Sequence, residues 1–528
     1  MQPSLSYKTM HTASTLLMSQ KRSDTLLFIV IFVTALGTTP LLILAGASVG
    51  FSVVLGIIAS LAIAISIVRW PVIGFFVIAG CVVLVEQEAL PTPIFTDRLY
   101  VFYWPPRFTG LVERPIGFLL LFILLIYVCH HLVKRQRLLR GGPLFLPFMF
   151  YLLCVAVGVI HGMTSGGDFK TIVLEVRPFW YTFVSYLLAY NLVSQKQHIR
   201  YFLWMLIIGA GIKGIQGVYI YLIVFHGSLI GYNEIMAHEE SFFFVALILL
   251  VMLFGLHYRY RPQFYTALLV LPCVLIAMIA NQRRADYIAL LVGMAVAWAL
   301  IFMVKPQARK WLLTCMLIFV ALGGAYVAAF WHSSGSFSEP ARAVVSFFHP
   351  DPRDAASNLY RLIENYDLKF TEHQNPLLGM GFGKQFLQPI TLPNILSLDP
   401  YYLYIPHNTI YWVWMRLGPI GFLAFWNLIG TIVVRGGIII RRLQDRYLQL
   451  VAIYIVAITF MEVIVAYADY QLFFYRNVIY LGLLVGILMK LPELDQKPAL
   501  DQKKEQPVHE TAHDIRPFAT SGRGSRRT

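Results

Sequence analysis

The chain has 528 residues and a formal net charge of +15, with 58% hydrophobic and only 13% charged residues. Its mean hydropathy is +0.67, and apolar runs recur along most of the length. This composition excludes a soluble enzyme, a nucleic-acid-binding module and a disulfide scaffold; it fits an all-α polytopic membrane protein, since a hydrocarbon layer about 30 Å thick takes about 20 helical residues to cross.

The first 24 residues are polar and end in Lys21-Arg22, which reads as a cytoplasmic N-terminus ahead of a retained first helix. Apolar runs then predict about twelve to fourteen transmembrane helices, near 25–39, 42–68, 71–85, 115–132, 143–160, 171–193, 201–225, 241–256, 264–280, 287–304, 311–330, 407–434, 447–466 and 472–489. Residues 25–330 are thus the N-terminal membrane helices and 407–490 the C-terminal ones, with one large loop, 331–406, between them. The end, 491–528, is rich in Lys, Gln, Asp and Pro and repeats Leu-Asp-Gln-Lys at 494 and 500, as a disordered cytoplasmic tail would.

Positive residues gather in alternate connections, at 134–140, 305–310 and 435–446 among others, whereas the short connections between them hold only Lys170, Arg283 and Arg284. The positive-inside rule therefore puts both termini in the cytoplasm and the 331–406 loop outside. The basic balance is an orientation signal, and no nucleic-acid partner is expected. Cys81, Cys129, Cys154, Cys273 and Cys315 lie in apolar spans without paired or metal-ligand spacing and read as inert packing residues; no cofactor is expected.

Two outer connections are long, 86–114 and 331–406. In the second, Leu359, Leu362, Ile363, Tyr366 and Phe370 recur at helical spacing over 358–370, with Ser357 or Asp354 as the cap and Arg361, Glu364 and Asn365 on the polar face. Gly379, Gly381 and Gly383 follow in Asn375-Pro376-Leu377-Leu378-Gly379-Met380-Gly381-Phe382-Gly383. Alternating glycines let backbone approach a phosphate or sugar closely, yet the Lys-Ser/Thr of a nucleotide loop is missing.

His407-Asn408 opens the next span. An imidazole ordinarily titrates near about 6.5, which suits proton transfer. Helical spacing puts Tyr411, Trp414 and Gly418 on its face and turns Arg416 away. Arg283 and Arg284 breach the charge rule that the other loops obey, and guanidinium forks hold anions well. Arg177, about six residues into its span, should face the bundle interior or a wet cavity, or pair with Glu175. Arg476 is similarly shallow, and Lys213 sits mid-span among glycines.

An Arg on a loop helix, then Pro376 to Gly383, His407-Asn408 and Leu417-Gly418-Pro419-Ile420-Gly421, with Asn281-Gln282-Arg283-Arg284 upstream, resembles the O-antigen ligase and polymerase superfamily of bacterial surface-polysaccharide assembly. The resemblance covers roughly residues 270–435. It implies a multi-pass enzyme of the bacterial inner membrane with its active site on the extracytoplasmic face. The activity it implies is metal-independent glycosyl transfer, from a polyprenyl-pyrophosphate-linked saccharide such as an undecaprenyl pyrophosphate to a hydroxyl of a glycan or lipid acceptor, in lipopolysaccharide or exopolysaccharide synthesis. Ligase and polymerase both stay open. On this reading His407 is the general base and Asn408 its orienting partner, while Arg283, Arg284, Arg177 and Arg361 bind the donor. Glu86 and Glu88, in the first long outer loop, are rival bases. The alternative is a polysaccharide or lipid-linked oligosaccharide transporter or flippase with Lys213, Glu462 and Asp469 along its path. The chain lacks the matching halves such a transporter would show. A scaffold in an export complex is a third reading.

Overall fold

The structure, a computed structural model, describes residues 51–87, 96, 101–103, 113–136, 138–228, 234–333, 335–346, 348–395 and 400–504. The expected span at 25–39 and Glu88 lie outside the described residues. The chain divides into two units, 1–74 and 75–528. Described residues of the first form helix α1 (Phe51–Arg69) and the start of α2 (Pro71–Leu84); all that follows concerns the second unit.

Its elements run α3 (Pro115–Val133), α4 (Phe145–Thr164), α5 (Phe169–Leu192), α6 (Lys196–Tyr219), α7 (His238–Leu256), α8 (Arg261–Ala280), α9 (Arg284–Val304) and α10 (Arg309–Ala329). Then come α11 (Glu339–Val345), α12 (Pro352–Gln374), α13 (Thr409–Arg442), α14 (Arg446–Ala468) and α15 (Tyr475–Lys504). Ten helices among the described residues are long and apolar enough to cross a membrane, with Gly56–Arg69 and Pro71–Leu84 as shorter apolar ones. The protein is an all-α polytopic membrane protein, as its composition requires. Helix α5 is equally long but carries Lys170, Glu175, Arg177 and Pro178. It starts at Asp168, whose carboxylate accepts the Thr171 amide (2.8 Å) and hydroxyl (2.7 Å).

Helices α14 and α15 are buried almost all round, while α10 is nearly all exposed, as a helix facing lipid would be. Helix α15 packs on α5, α9 on α14, α6 on α8 and α13 on α4. Inside the bundle Lys213 is ion-paired with Glu86 and, at 3.4 Å, with Glu240; Arg476 reaches Glu240 at 2.5 Å and Glu239 at 3.3 Å. Charges this deep are tolerable only in such pairs, and removing one partner typically costs about 3–5 kcal/mol. Lys213, Arg476 and Glu86 are therefore occupied in holding α2, α6, α7 and α15 together.

Three sequence-based boundaries shift. The loop helix begins at Pro352, and its cap is Asp351, which accepts the Asp354 amide at 2.8 Å; Ser357 and Asp354 lie within the helix. The short helix α11 precedes it, too brief to announce itself by periodicity. The last helix does not end near 489 but runs on to Lys504. Leu491 and Leu494 extend its buried face, and Arg140 clasps Glu493 at 3.0 and 2.7 Å.

Candidate active site

Helix α13 is broken at Gly418, whose φ of 64° lies in the left-handed region, next to Pro419. Proline has no N–H, so the Met415 carbonyl four residues back loses its helical donor. The amide of Met380 supplies it at 2.7 Å, and Gly381 donates to the Arg416 carbonyl at 3.1 Å. The glycine loop is thereby locked to the kink. Gly379, Gly381 and Gly383 all have positive φ (70°, 75° and 81°). A Cβ on Gly381 would lie 2.6 Å from the Gly162 nitrogen, and one on Gly383 2.5 Å from Ile172. The loop thus brings backbone close to helices α4, α5 and α13, where the sequence had left room for a phosphate or sugar. Gly381→Ala should destabilise the fold by about 2–4 kcal/mol through backbone strain and overpacking. A thermal melt in detergent checks this against Gly437→Ala, where no other element comes within 4 Å and the helix should, if anything, gain about 0.5–1 kcal/mol.

Arg416 completes the lock. Fully buried, it pairs with Glu175 at 2.5 Å and donates to the carbonyls of Gly381 (3.0 Å), Lys384 (2.7 Å) and Tyr404 (3.0 Å). Glu175 also accepts the Gly383 amide at 2.5 Å. The pairing of Glu175 with Arg177 considered from sequence does not form. Arg177 instead donates to the Tyr475 hydroxyl at 2.5 Å and lies 3.7 Å from Glu113, in a buried cluster that the structure does not join to the groups below.

With the loop fixed, α12 presents Arg361, Glu364 and Asn365 to the start of α13. His407 Nδ1 lies 3.1 Å from Glu364 Oε1, and the His407 amide donates to Oε2 at 3.1 Å. Asn365 accepts from the Asn408 side chain at 3.0 Å, and Asn408 caps α13 by accepting the Tyr411 amide at 3.1 Å. Glu364 is 1% exposed, His407 25%. The Tyr360 and Tyr470 rings meet the imidazole edge-on at 5.6 and 5.7 Å. With the carboxylate at Nδ1, that nitrogen carries the proton and Nε2 is left as an acceptor. His407 lines a cavity of about 470 Å³ walled by apolar Leu359, Ile363, Pro393 and Ile395, together with Tyr360 and Arg361.

A second cavity of about 90 Å³ shares Ser357 and Arg361 with the first. Here Arg283, Arg284, Arg342, Arg353 and Arg361 face Asp286, Glu339, Asp354 and Asp469. The turn that delivers the arginine pair holds Gln282 at φ 54°, an uncommon conformation for a side chain other than glycine. Arg283 is ion-paired with Glu234; Arg284 is 3.3 Å from Asp354 and donates to Ser346 at 3.1 Å. Burial raises the Asp469 pKa, but the hydrogen bond from His238 and the charges of His238, Arg283 and His407 outweigh it, holding the carboxyl below the usual carboxylate range. Arg361 differs from Arg283, Arg284 and Arg342 in that no ion pair holds it among the described residues; its buried Nε, like that of Arg283, has no hydrogen-bond partner. No group of three or more His, Cys, Asp or Glu side chains suited to a metal occurs among the described residues.

Residues 267–426 match the model of a protein family described as O-antigen ligase. Over this segment, about three tenths of its length, the chain is similar to the O-antigen ligase family. No curated protein matches it. The O-antigen ligase segment contains Arg283, Arg284, Arg361, the three loop glycines, His407 and Asn408, whereas Glu175, Arg177, Glu234, His238 and Asp469 lie outside it. Of the residues singled out from sequence, Arg283, Arg284 and Arg361 line one cavity, Arg361 and His407 line the other, and Asn408 stands next to His407; the three glycines pack against α4, α5 and α13, and Arg177 lies apart. Sequence reasoning missed the service of Glu364 to His407 and of Arg416 to the loop. The helical spacing of Glu364 from Arg361 was the one available signal for the first.

Proposed function

We propose that this protein is a glycosyltransferase of the O-antigen ligase type in the bacterial inner membrane, moving a glycan from a polyprenyl-pyrophosphate donor to an acceptor hydroxyl on the extracytoplasmic side. The observation that carries the reading is the junction at Arg361, where a cavity holding a carboxylate-oriented histidine meets one lined by arginines. His407 Nε2 takes the proton of the acceptor hydroxyl as its oxygen bonds to the anomeric carbon. The bond from that carbon to the donor phosphate breaks, and its electron pair leaves on the pyrophosphate. Arg361, with no carboxylate of its own, meets the growing charge, backed by Arg283 and Arg284. Apolar Leu359, Ile363 and Ile395 suit the first isoprene units or the flat face of a sugar.

The test is the product formed by purified protein from a lipid-linked oligosaccharide. Longer chains mean a polymerase, a glycan moved to a lipid or protein acceptor means a ligase, and an unchanged donor removes the reading. Reporter fusions should put residue 360 outside and the 134–140 and 435–446 connections inside; residue 360 in the cytoplasm would overturn the orientation.

A further inference from the structure

A second histidine stands beside the arginine cavity. His238 opens α7 with both ring nitrogens on carboxylates: Nε2 is 3.0 Å from Glu234 Oε2, and Nδ1 is 3.3 Å from Asp469 Oδ2. That same Glu234 oxygen accepts from Arg283. One carboxylate oxygen is therefore shared between an imidazole and a guanidinium. A neutral imidazole has a single N–H, so one of its two carboxylates must then face a lone pair; only the cation donates to both.

The frame around the trio is rigid. Asn281 accepts the amides of Ile235 (3.2 Å) and Met236 (2.9 Å) and donates to Ser241 at 2.8 Å, tying the turn that carries Arg283 to the stretch that carries Glu234 and His238. Charged and titratable groups face His238 from every side: Glu234 from the preceding stretch, Arg283 and Asp286 from the start of α9, and Asp469 with Tyr470 from the turn after α14. The Tyr470 ring lies 6.1 Å from the His238 ring and 5.7 Å from that of His407, so the two histidines flank one tyrosine. Phe474 closes the remaining side at 6.1 Å.

We propose that His238 is a positioning residue for the anion cavity: protonated, it draws Glu234 away from Arg283 and frees that guanidinium for a pyrophosphate. Losing its proton returns Glu234 to Arg283 and weakens the grip on the anion. The proposal rests on the pyrophosphate reading of the cavity and goes beyond it, by making donor affinity depend on a histidine other than the one that takes the acceptor proton.

The experiment measures inorganic pyrophosphate binding to the purified full-length protein by calorimetry, from about pH 5.5 to about pH 8.5, across the usual histidine range. Ionisation of pyrophosphate itself acts on every variant alike, so the ratio of Kd for His238→Gln to that of the parent isolates the histidine. That ratio should be about fivefold at the acid end, the scale of one partly exposed ion pair, and close to one at the alkaline end. A ratio that does not change with pH would make His238 a merely structural residue and overturn the proposal. Glu234→Gln provides a second arm: it removes the competing carboxylate, so it should bind pyrophosphate more tightly than the parent, and in that background the ratio of Kd with and without His238→Gln should not change with pH. Binding no tighter than the parent would also overturn the proposal. A flat ratio with binding still lost in Arg361→Ala would leave the cavity reading standing without His238; no binding to the parent at all would sink both.

Discussion

Replacing His407 by Ala should lower the rate of glycan transfer by about 10²- to 10⁴-fold at saturating donor while leaving donor KM nearly unchanged. The reason is geometric. Nδ1 is held by a buried carboxylate at 3.1 Å, which fixes the ring and its tautomer and leaves Nε2 to accept the proton. Glu364→Gln keeps the shape but removes the charge that stabilises the imidazolium, so it should cost less, about 10- to 100-fold. Asn408→Ala should act more mildly, by loosening the start of α13 and its contact with Asn365. A purified His407→Ala protein that transfers glycan at the parent rate would end the histidine's part in the reaction. Glu86 would be a poor substitute, since it is buried against Lys213.

Arg361→Ala should lower kcat/KM for the lipid-linked donor by about 10- to 100-fold, the range for losing a charge-assisted contact to an anion. Arg361→Lys should recover only part, since an ammonium cannot present a two-pronged fork. The neighbouring arginines should respond differently. Arg283 and Arg284 are engaged with Glu234 and Asp354, so Ala at either position removes an ion pair, leaving Glu234 to His238 alone in the first case, and should lower the melting temperature as well as donor use. Arg361 has no such partner to strand among the described residues, and its Ala variant should keep the parent's thermal stability more nearly. An unchanged kcat/KM in Arg361→Ala would take the junction of the two cavities out of the mechanism.

The fold was largely legible because long apolar runs have few alternatives in a membrane, and the helices came out within a few residues wherever polarity changes sharply, as at Arg284 and Arg446. Where polarity changes gradually, at Leu491 to Lys504, the boundary was misplaced, since burial of Leu491 and Leu494 depends on neighbours remote in sequence. For the site, the breach of charge asymmetry at Arg283 and Arg284 led to a cavity and the start of the span at 407 led to His407, while the link from Glu364 to His407 was not read although both residues had been singled out. The glycine motif was ambiguous from sequence, because the lack of a Cβ serves the approach of a ligand and the approach of the protein's own backbone equally. Burial of Arg177 followed from its depth, but its partner did not: Glu113 is far along the chain, and the nearer Glu175 is taken by Arg416. His238 gave no signal, since only folding brings Glu234 and Asp469 to opposite sides of its ring.

The proline at 419 has a consequence for biogenesis. A helix whose carbonyl at Met415 is completed by an amide at 380 is not self-sufficient in lipid, where an unmatched carbonyl costs several kcal/mol. Because the loop precedes the helix in the chain, its glycines leave the ribosome first and can be waiting when α13 enters the bilayer. Shortening the loop so that Met380 cannot reach the Met415 carbonyl should therefore leave the helix open to quality-control proteolysis, and pulse-labelled protein should be degraded faster than the parent.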